Sequence, residues 1–500
     1  NKYIKNLLVM NWRFNIYKAL VWFGVLLLAI NVSGQLDLFP LQQDYIEESR
    51  YSYGDLDSAT HTSILPFSVK DSELSESYFY RDTSLYYNIL VAKVFKDDLF
   101  SINEEDFVLR INPLFDFRGA KDLIDTSTYA DTTLFIQNSR GFKMDGKIGK
   151  RLFFQTGFLE NQSYLPSWQK TYADTNLVIP GMGRHKAYKD SGFDYSQSYG
   201  WVNYFPVKNI NLFFGHGKMF SGHGYRSHLL SHQSFNFPHL KASVTLLRGK
   251  LKAMWSLAAL QSLSRQPLGE VPESLFKKKS ATFSSLSYLV GKRVELSVFE
   301  TNIWKRYSEF SGTVPLNGLA YAPVPLLGYL TQRVDSLQSA RIGFNGLLKI
   351  SNRIQFYSQY QIETEGLQLG IRINESGIKG LRVQAEYNQA NKVAEIDPMV
   401  SFSHLNEGLG HPVQDTFDEV FISVNYIKNR WLGKVSYSQI NSLADRKTLD
   451  VNAAYLVNAK TNLKIALGYL YRDQGKGGSS QSGLFYFGVK TSVFDSFYNF

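Results

Sequence analysis

Cysteine is absent from all 500 residues. That absence excludes a disulfide framework, thiolate metal sites, cysteine nucleophiles and thiol redox chemistry in one step. Long hydrophobic runs are missing too. Beyond the N-terminus no 18 consecutive residues are apolar, so no segment reads as a membrane-spanning helix. Signatures of catalysis are equally sparse: there is no HExxH, and no GxSxG elbow falls in the histidine-rich part of the chain.

Aromatic residues, in contrast, are plentiful. Tyr 31, Phe 36 and Trp 7 make up 15% of the chain, and a hydrophobic content of 44% coexists with a mean hydropathy of only -0.21. Apolar and polar residues are therefore interleaved rather than blocked. Such a pattern leaves the membrane open to strands while closing it to helices.

At the N-terminus Arg13 and Lys18 precede the apolar run 19–30, too short to span a bilayer, and Val32 and Gly34 suit small-residue cleavage. Residues 1–34 are expected to be a signal peptide, with Met10 as initiator and Gln35 as the mature start. Loss of Lys2, Lys5, Arg13 and Lys18, with no acid, takes the formal charge from +10 to +6. A mildly basic exported protein suits anionic glycans or lipopolysaccharide as well as plain solvation.

Residues 35–106 do not alternate and are expected to form a periplasmic arm. Leu85, Ile89, Ala92, Phe95 and Leu99 recur there at helical spacing behind Asp82 and Thr83 as caps. From Phe107 to the end the period switches to two. Ile354, Phe356, Tyr360 and Ile362 alternate with Arg353, Gln355, Gln359, Gln361 and Glu363. Leu381, Val383, Ala385 and Tyr387 alternate with Arg382, Gln384, Glu386 and Asn388, and Leu463, Ile465, Leu467 and Tyr469 alternate with Lys464, Gly468 and Arg472. A sandwich seldom places Arg, Gln and Glu on one face of so many strands, whereas a barrel with a polar lumen requires it.

Short basic turns recur at 149–151, 208–209, 248–250, 291–293, 351–353, 376–377, 428–430 and 458–460, with long connections such as 162–191, 306–337 and 391–415 between them. Glycine and asparagine in tight turns tolerate the positive φ that hairpins demand. Short turns at one end and long loops at the other match the periplasmic and extracellular ends of an outer-membrane barrel. The eight turns, with one strand before and one after, give about 18 antiparallel strands over 107–500. Even parity then makes 484–500 a single last strand, with a phase shift near Phe494 that suggests a bulge.

The stretch 215–232 carries four of the nine histidines and four glycines between two strands, and His239 follows. His228 and His232, four apart, would share a face if helical, which is one way to build a metal pair. A loop folded into the barrel mouth, its glycines permitting close packing, is the plainer reading. Tyr225 and Arg226 suit sugar recognition, since sugars offer C–H faces to aromatic rings and hydroxyls or carboxylates to guanidinium. A hydrolase built on the nearby Ser and His residues lacks a recognisable arrangement. In other loops Tyr164, Trp168, Tyr172, Tyr321 and Tyr329 fit either glycan platforms or an interfacial girdle.

The strand 211–220 (NLFFGHGKMF), then Gly222, Gly224, Tyr225, Arg226, Ser227, Leu229, Leu230, Ser231 and Pro238, with IPGMG at 179–183 and GFDYSQSYGWVNY at 192–204, resemble the Wzi family of outer-membrane capsule-assembly proteins. The likeness is to its Bacteroidota branch, whose members are often labelled gliding-motility proteins. His228 and His232 depart from the family pattern, so no ligand role transfers to them.

The resemblance implies an 18-strand barrel in the outer membrane of a Gram-negative bacterium, with periplasmic helical material near its N-terminus, closed by extracellular loops and binding capsule or lipopolysaccharide as a non-enzymatic lectin. A monomeric barrel in contact with outer-membrane lipid and with a cell-surface partner protein, without metal, cofactor or nucleic acid, is expected. Candidate glycan-binding residues are Trp168, Gly215, Gly222, Gly224, Tyr225, Arg226, Ser227 and Ser231. The alternatives are a diffusion porin, because a barrel of this girth holds a channel unless loops block it, and a structural or secretion-system partner without a glycan.

Overall fold

The computed structural model describes residues 82–493 apart from 266–275, 309–311, 325–326, 332–337, 376, 394–399 and 476–479, together with 36–38, 46–47, 50–51, 56, 59–66 and 68–70 before them. The expected signal peptide, 1–34, lies outside the described residues.

Strands running from Phe107–Asp122 to Ser480–Lys490 pair in sequence order and close on themselves. Leu484 faces Asp122 and Lys490 faces Asp116, which makes an 18-strand antiparallel barrel. Closure leaves no unpaired edge, the condition for backbone in a hydrocarbon layer. Each of the eight short turns falls between adjacent strands. Left-handed residues sit where expected: Gly149 (φ 58), Arg248 (φ 55), Gly291 (φ 66), Gly377 (φ 86) and Asn429 (φ 54).

The alternation is realised with the apolar face outward. Phe356, Tyr360, Leu369, Tyr387, Ile465, Leu467, Phe485 and Phe487 are exposed, while Gln355, Gln359, Arg382, Gln384, Glu386, Asn388, Lys464 and Arg472 are buried in the lumen. Outward pairs such as Leu467 with Phe487 and Phe356 with Ile371 build the belt across strands. Trp431 packs edge-on against Tyr455 at 5.0 Å near the short turns, the level of an aromatic girdle. Leu369→Arg, which puts a charge mid-strand on this belt, is expected to cost about 2–4 kcal/mol. Urea unfolding from phospholipid bilayers reads that loss, and an unchanged midpoint would mean that Leu369 does not face lipid.

Two expectations need correction. The last strand stops at Lys490 rather than running through 484–500. Thr491 still lies opposite Phe115, its amide donating to Phe115 O (2.9 Å) and its Oγ1 accepting from Phe115 N (2.9 Å), and Ser492 then leaves the ladder to donate from its amide to Thr461 O (3.2 Å). The next place on the ladder is taken by the strand Phe100–Asn103, which pairs Phe100 with Ile111 and Asn103 with Val108. Two chain segments end to end therefore replace one long strand, and residues 494–500 lie outside the described residues.

The arm's helix spans Ile89–Phe95 and is capped by Asn88, whose side chain accepts from Leu90 N (2.8 Å) and Val91 N (3.4 Å), not by Asp82 or Thr83. Asp82 is engaged elsewhere, by Ser84 N (2.8 Å), Tyr86 OH (2.9 Å) and the Arg430 guanidinium (2.6 Å). Earlier pieces of the arm pass inside the barrel. Leu65 and Ile64 are buried there and pair with Phe220 and Ser221.

Candidate functional site

The connection after Ile210–Gly217 turns into the lumen instead of arching over the mouth. Gly222 sits at φ 139, beyond the reach of L side chains, and a Cβ there would land on the Gln359 amide; one on Gly224 would meet the Gln368 amide. The absence of side chains at these two points lets the loop backbone touch the barrel wall.

Wall residues then take up its polar groups one by one. Gln359 Oε1 accepts from His228 N (3.1 Å) while its Nε2 donates to Ser221 O (2.9 Å). Glu386 accepts the backbone amides of Tyr225 and Arg226, and Gln368 Nε2 donates to Arg226 O (3.0 Å). Arg372 donates to His223 O and Arg50 to Gly224 O, both at 2.6 Å. Ser227 Oγ donates to Ser221 O (2.5 Å) and accepts from Leu229 N and Leu230 N, which caps the tight bend. Ser231 N donates to Leu409 O (2.6 Å), and Gly222 N to Ser63 O (2.7 Å). The plug is thus stitched to the wall, to the 391–415 connection and to the arm.

At its centre lies an ion pair. Arg226, 1% exposed, donates from Nη2 to Glu419 Oε1 at 3.0 Å and lies 5.1 Å from the ring centre of Tyr225 and 5.9 Å from that of Phe421, two rings that stack on each other at 4.1 Å. Glu419 also accepts from Ser438 Oγ (2.7 Å) and Asn388 Nδ2 (3.2 Å) and lies 2.7 Å from His411 Nε2. Satisfying every lone pair is what makes a charge tolerable in such a setting. An apolar cluster of Met219, Leu229, Leu230, Phe237, Phe283, Phe299, Ile303, Phe402 and Leu409 fills the lumen beside it.

The sequence-selected residues are brought together, as parts of this plug. Gly222, Ser227 and Ser231 are buried with Arg226, and Gly215 lies in the strand, where a Cβ would strike Trp201. Trp168 is apart from them, in the helix Ser167–Asn176, buried beneath the Arg472 guanidinium at 4.4 Å. The segment 222–236 is not helical, so His228 and His232 share no helical face. His228 stacks on His411 (5.6 Å), and His232 meets Phe220 edge-on (5.3 Å). No cluster of three ligating side chains occurs among the described residues. Burial holds His223 down to about 4 against the pull of Glu295, 3.7 Å away, and holds His228 and His232 down to about 3, aided by His411 and Lys218 respectively.

Sequence reasoning missed Glu419, Glu295 and Glu407. Glu407 binds Gly181 N (2.6 Å) and Phe235 N (3.1 Å), tying IPGMG to the plug, and burial pushes it up to about 7. For Glu419 the available signal was an acidic residue on the wet face of a strand with no basic residue near it in sequence; Glu295 follows Arg293, and Glu407 lies in a connection.

Above the plug the mouth keeps a small open cleft of about 70 Å3. Arg341, Gln361, Lys392, Gln414 and Asp415 supply its polar lining, and His228, His411 and Phe417 its floor.

The sequence matches no family profile and no curated protein. Among solved structures, the barrel is similar to Wzi of Escherichia coli, described as a carbohydrate-binding β-barrel involved in group 1 capsule assembly. The TM-score is 0.53 at 13% identity, over 92% of this chain and 100% of that one. OccAB2 of Acinetobacter baumannii (TM-score 0.42, 8% identity, 77% and 97% covered) and a BenF-like porin of Pseudomonas fluorescens (0.40, 9%, 76% and 97%) are more distant. A closed barrel with an apolar exterior and a polar, plugged interior is built to cross an outer membrane. The chain is an outer-membrane β-barrel protein of a Gram-negative bacterium.

Proposed function

We propose that this barrel binds surface polysaccharide at its extracellular mouth and holds it at the cell surface, in capsule attachment or in the surface machinery of gliding cells. The observation that carries the reading is the plugged lumen with a polar cleft above it. A barrel built for diffusion would leave its lumen to water, whereas here Arg226, Ser227 and Leu230 fill it. The similarity in fold to a carbohydrate-binding barrel supports the same direction.

In this reading the half-buried Tyr225 and the buried Arg226, Ser227 and Ser231 act as positioning residues. Arg341, Asp415 and Gln414 meet the sugar, because guanidinium, carboxylate and amide groups match hydroxyl and carboxylate patterns. The protein is a binder rather than a catalyst.

Arg341→Ala and Asp415→Ala are each expected to weaken retention of polysaccharide extracted from the producing cells by about tenfold, the loss of one charge-assisted contact. Heat-modifiable gel mobility reports that the barrel stays folded. Retention by the intact protein no greater than by an unrelated barrel of similar size overturns the proposal.

A further inference from the structure

The helix Ile89–Phe95 is amphipathic in the wrong sense for water. Its protein-facing side is Ala92 and Lys93, and none of its residues is buried. Ile89 is 71% exposed and Leu90 72%; Val94, Phe95 and, just beyond, Leu99 and Phe100 are exposed as well. A helix on a soluble surface turns such residues inward.

The element is nonetheless held firmly. Asn458 Nδ2 donates to Lys93 O (3.1 Å) and Asp97 O (3.0 Å), Arg430 pairs with Asp82, and Lys460 lies within 4 Å of Asp97 and Asp98. Phe100 enters the barrel ladder opposite Ile111. These anchors are on the short-turn rim, on the same strand as girdle residue Tyr455 and beside Trp431. The apolar side chains therefore continue the lipid-facing belt outward at the level of the head groups.

We infer that the helix Ile89–Phe95 is an interfacial anchor, seated with Ile89, Leu90 and Val94 in the phospholipid leaflet that surrounds the short-turn end. Continuity with the established lipid belt, through Phe100 in the barrel ladder and the exposed Leu90 and Val94, identifies lipid as the occupant. The inference is independent of glycan binding.

The lack of cysteine makes the test direct, since a single introduced thiol labels without background. Full-length Leu90→Cys, carrying a nitroxide, is reconstituted in vesicles of phosphatidylethanolamine and phosphatidylglycerol. Leu369→Cys serves as the lipid reference and Lys392→Cys as the water reference. At position 90 the ratio of collision with oxygen to collision with a water-soluble nickel chelate is expected to exceed that at 392 severalfold and approach that at 369. A ratio equal to that at 392 places the helix in water and overturns the proposal. Protection from both reagents, as a covering protein or second copy would give, overturns it equally. A second label at Val94→Cys guards against a local effect of the first.

Discussion

Replacing Arg226 by alanine is expected to turn a silent barrel into a conducting one. The substitution removes the cation that neutralises Glu419, leaving a carboxylate held by Ser438, Asn388 and His411 in a site closed to water. Breaking a buried pair by deleting one partner costs about 3–5 kcal/mol, far more than the pair's net worth. The penalty falls on the docked plug, because the barrel ladder itself is untouched and the free loop can let water reach Glu419. Sustained conductance steps in planar bilayers, with cleavage of 218–236 by added protease, are the expected outcomes. The intact protein is expected to show neither. Arg226→Met combined with Glu419→Gln, which leaves no orphan charge, is expected to recover most of the closure. Large conductance from the intact protein would favour the porin reading and sink the plugged one.

Acidification is expected to release the same plug, and the sign follows from burial. His223, His228 and His232 are held neutral, at about 4, 3 and 3, whereas in an undocked loop they titrate near the ordinary 6.5. A depressed folded value means that the docked state binds fewer protons, so its stability is full above 6.5 and declines as pH falls from there toward 3. At pH 5 each histidine weakens docking by about 2 kcal/mol, so the three together are comparable with deletion of Arg226. Glu295 beside His223 offsets part of this by welcoming its proton. Glu407 acts in the opposite direction: raised to about 7, it favours the docked state below 4.5 and loses that contribution as pH rises through 7. Amide hydrogen exchange across 221–231 should therefore slow as pH rises from 4.5 to 6.5, after correction for intrinsic rates. A flat corrected profile would remove the histidines from the latch.

The wall of this molecule was legible in the sequence because its determinants are local. Alternation at 354–363, 381–388 and 463–472 needs only neighbours two apart, and the eight turns need only Gly, Asn and a change of period. The plug was legible as glycines without an address. Gly222 reveals that something must come close, but the Gln359 amide that occupies the space is 137 residues away in the chain, and Glu419 is 193 residues from Arg226. The last strand failed for the same reason: the ladder beyond Thr491, opposite Val108–Ile111, goes to Phe100–Asn103 at the other end of the sequence. Trp168 looked like an open aromatic platform because nothing nearby announces the guanidinium of Arg472 above it.

The pairing of Ile64 and Leu65 with Phe220 and Ser221 also constrains the order in which the molecule can be built. A sealed wall admits nothing from its side. The arm must reach Phe220 before the Ser480–Lys490 seam zips onto Phe107–Asp122, or else thread lengthwise through one end of a finished cylinder. The first path makes an early-synthesised part of the chain a template around which later strands wrap, with the strand Ser480–Lys490 as the lock. A chain lacking residues 59–66 would then assemble into a barrel of normal girth whose inner loop has lost one of its docking partners.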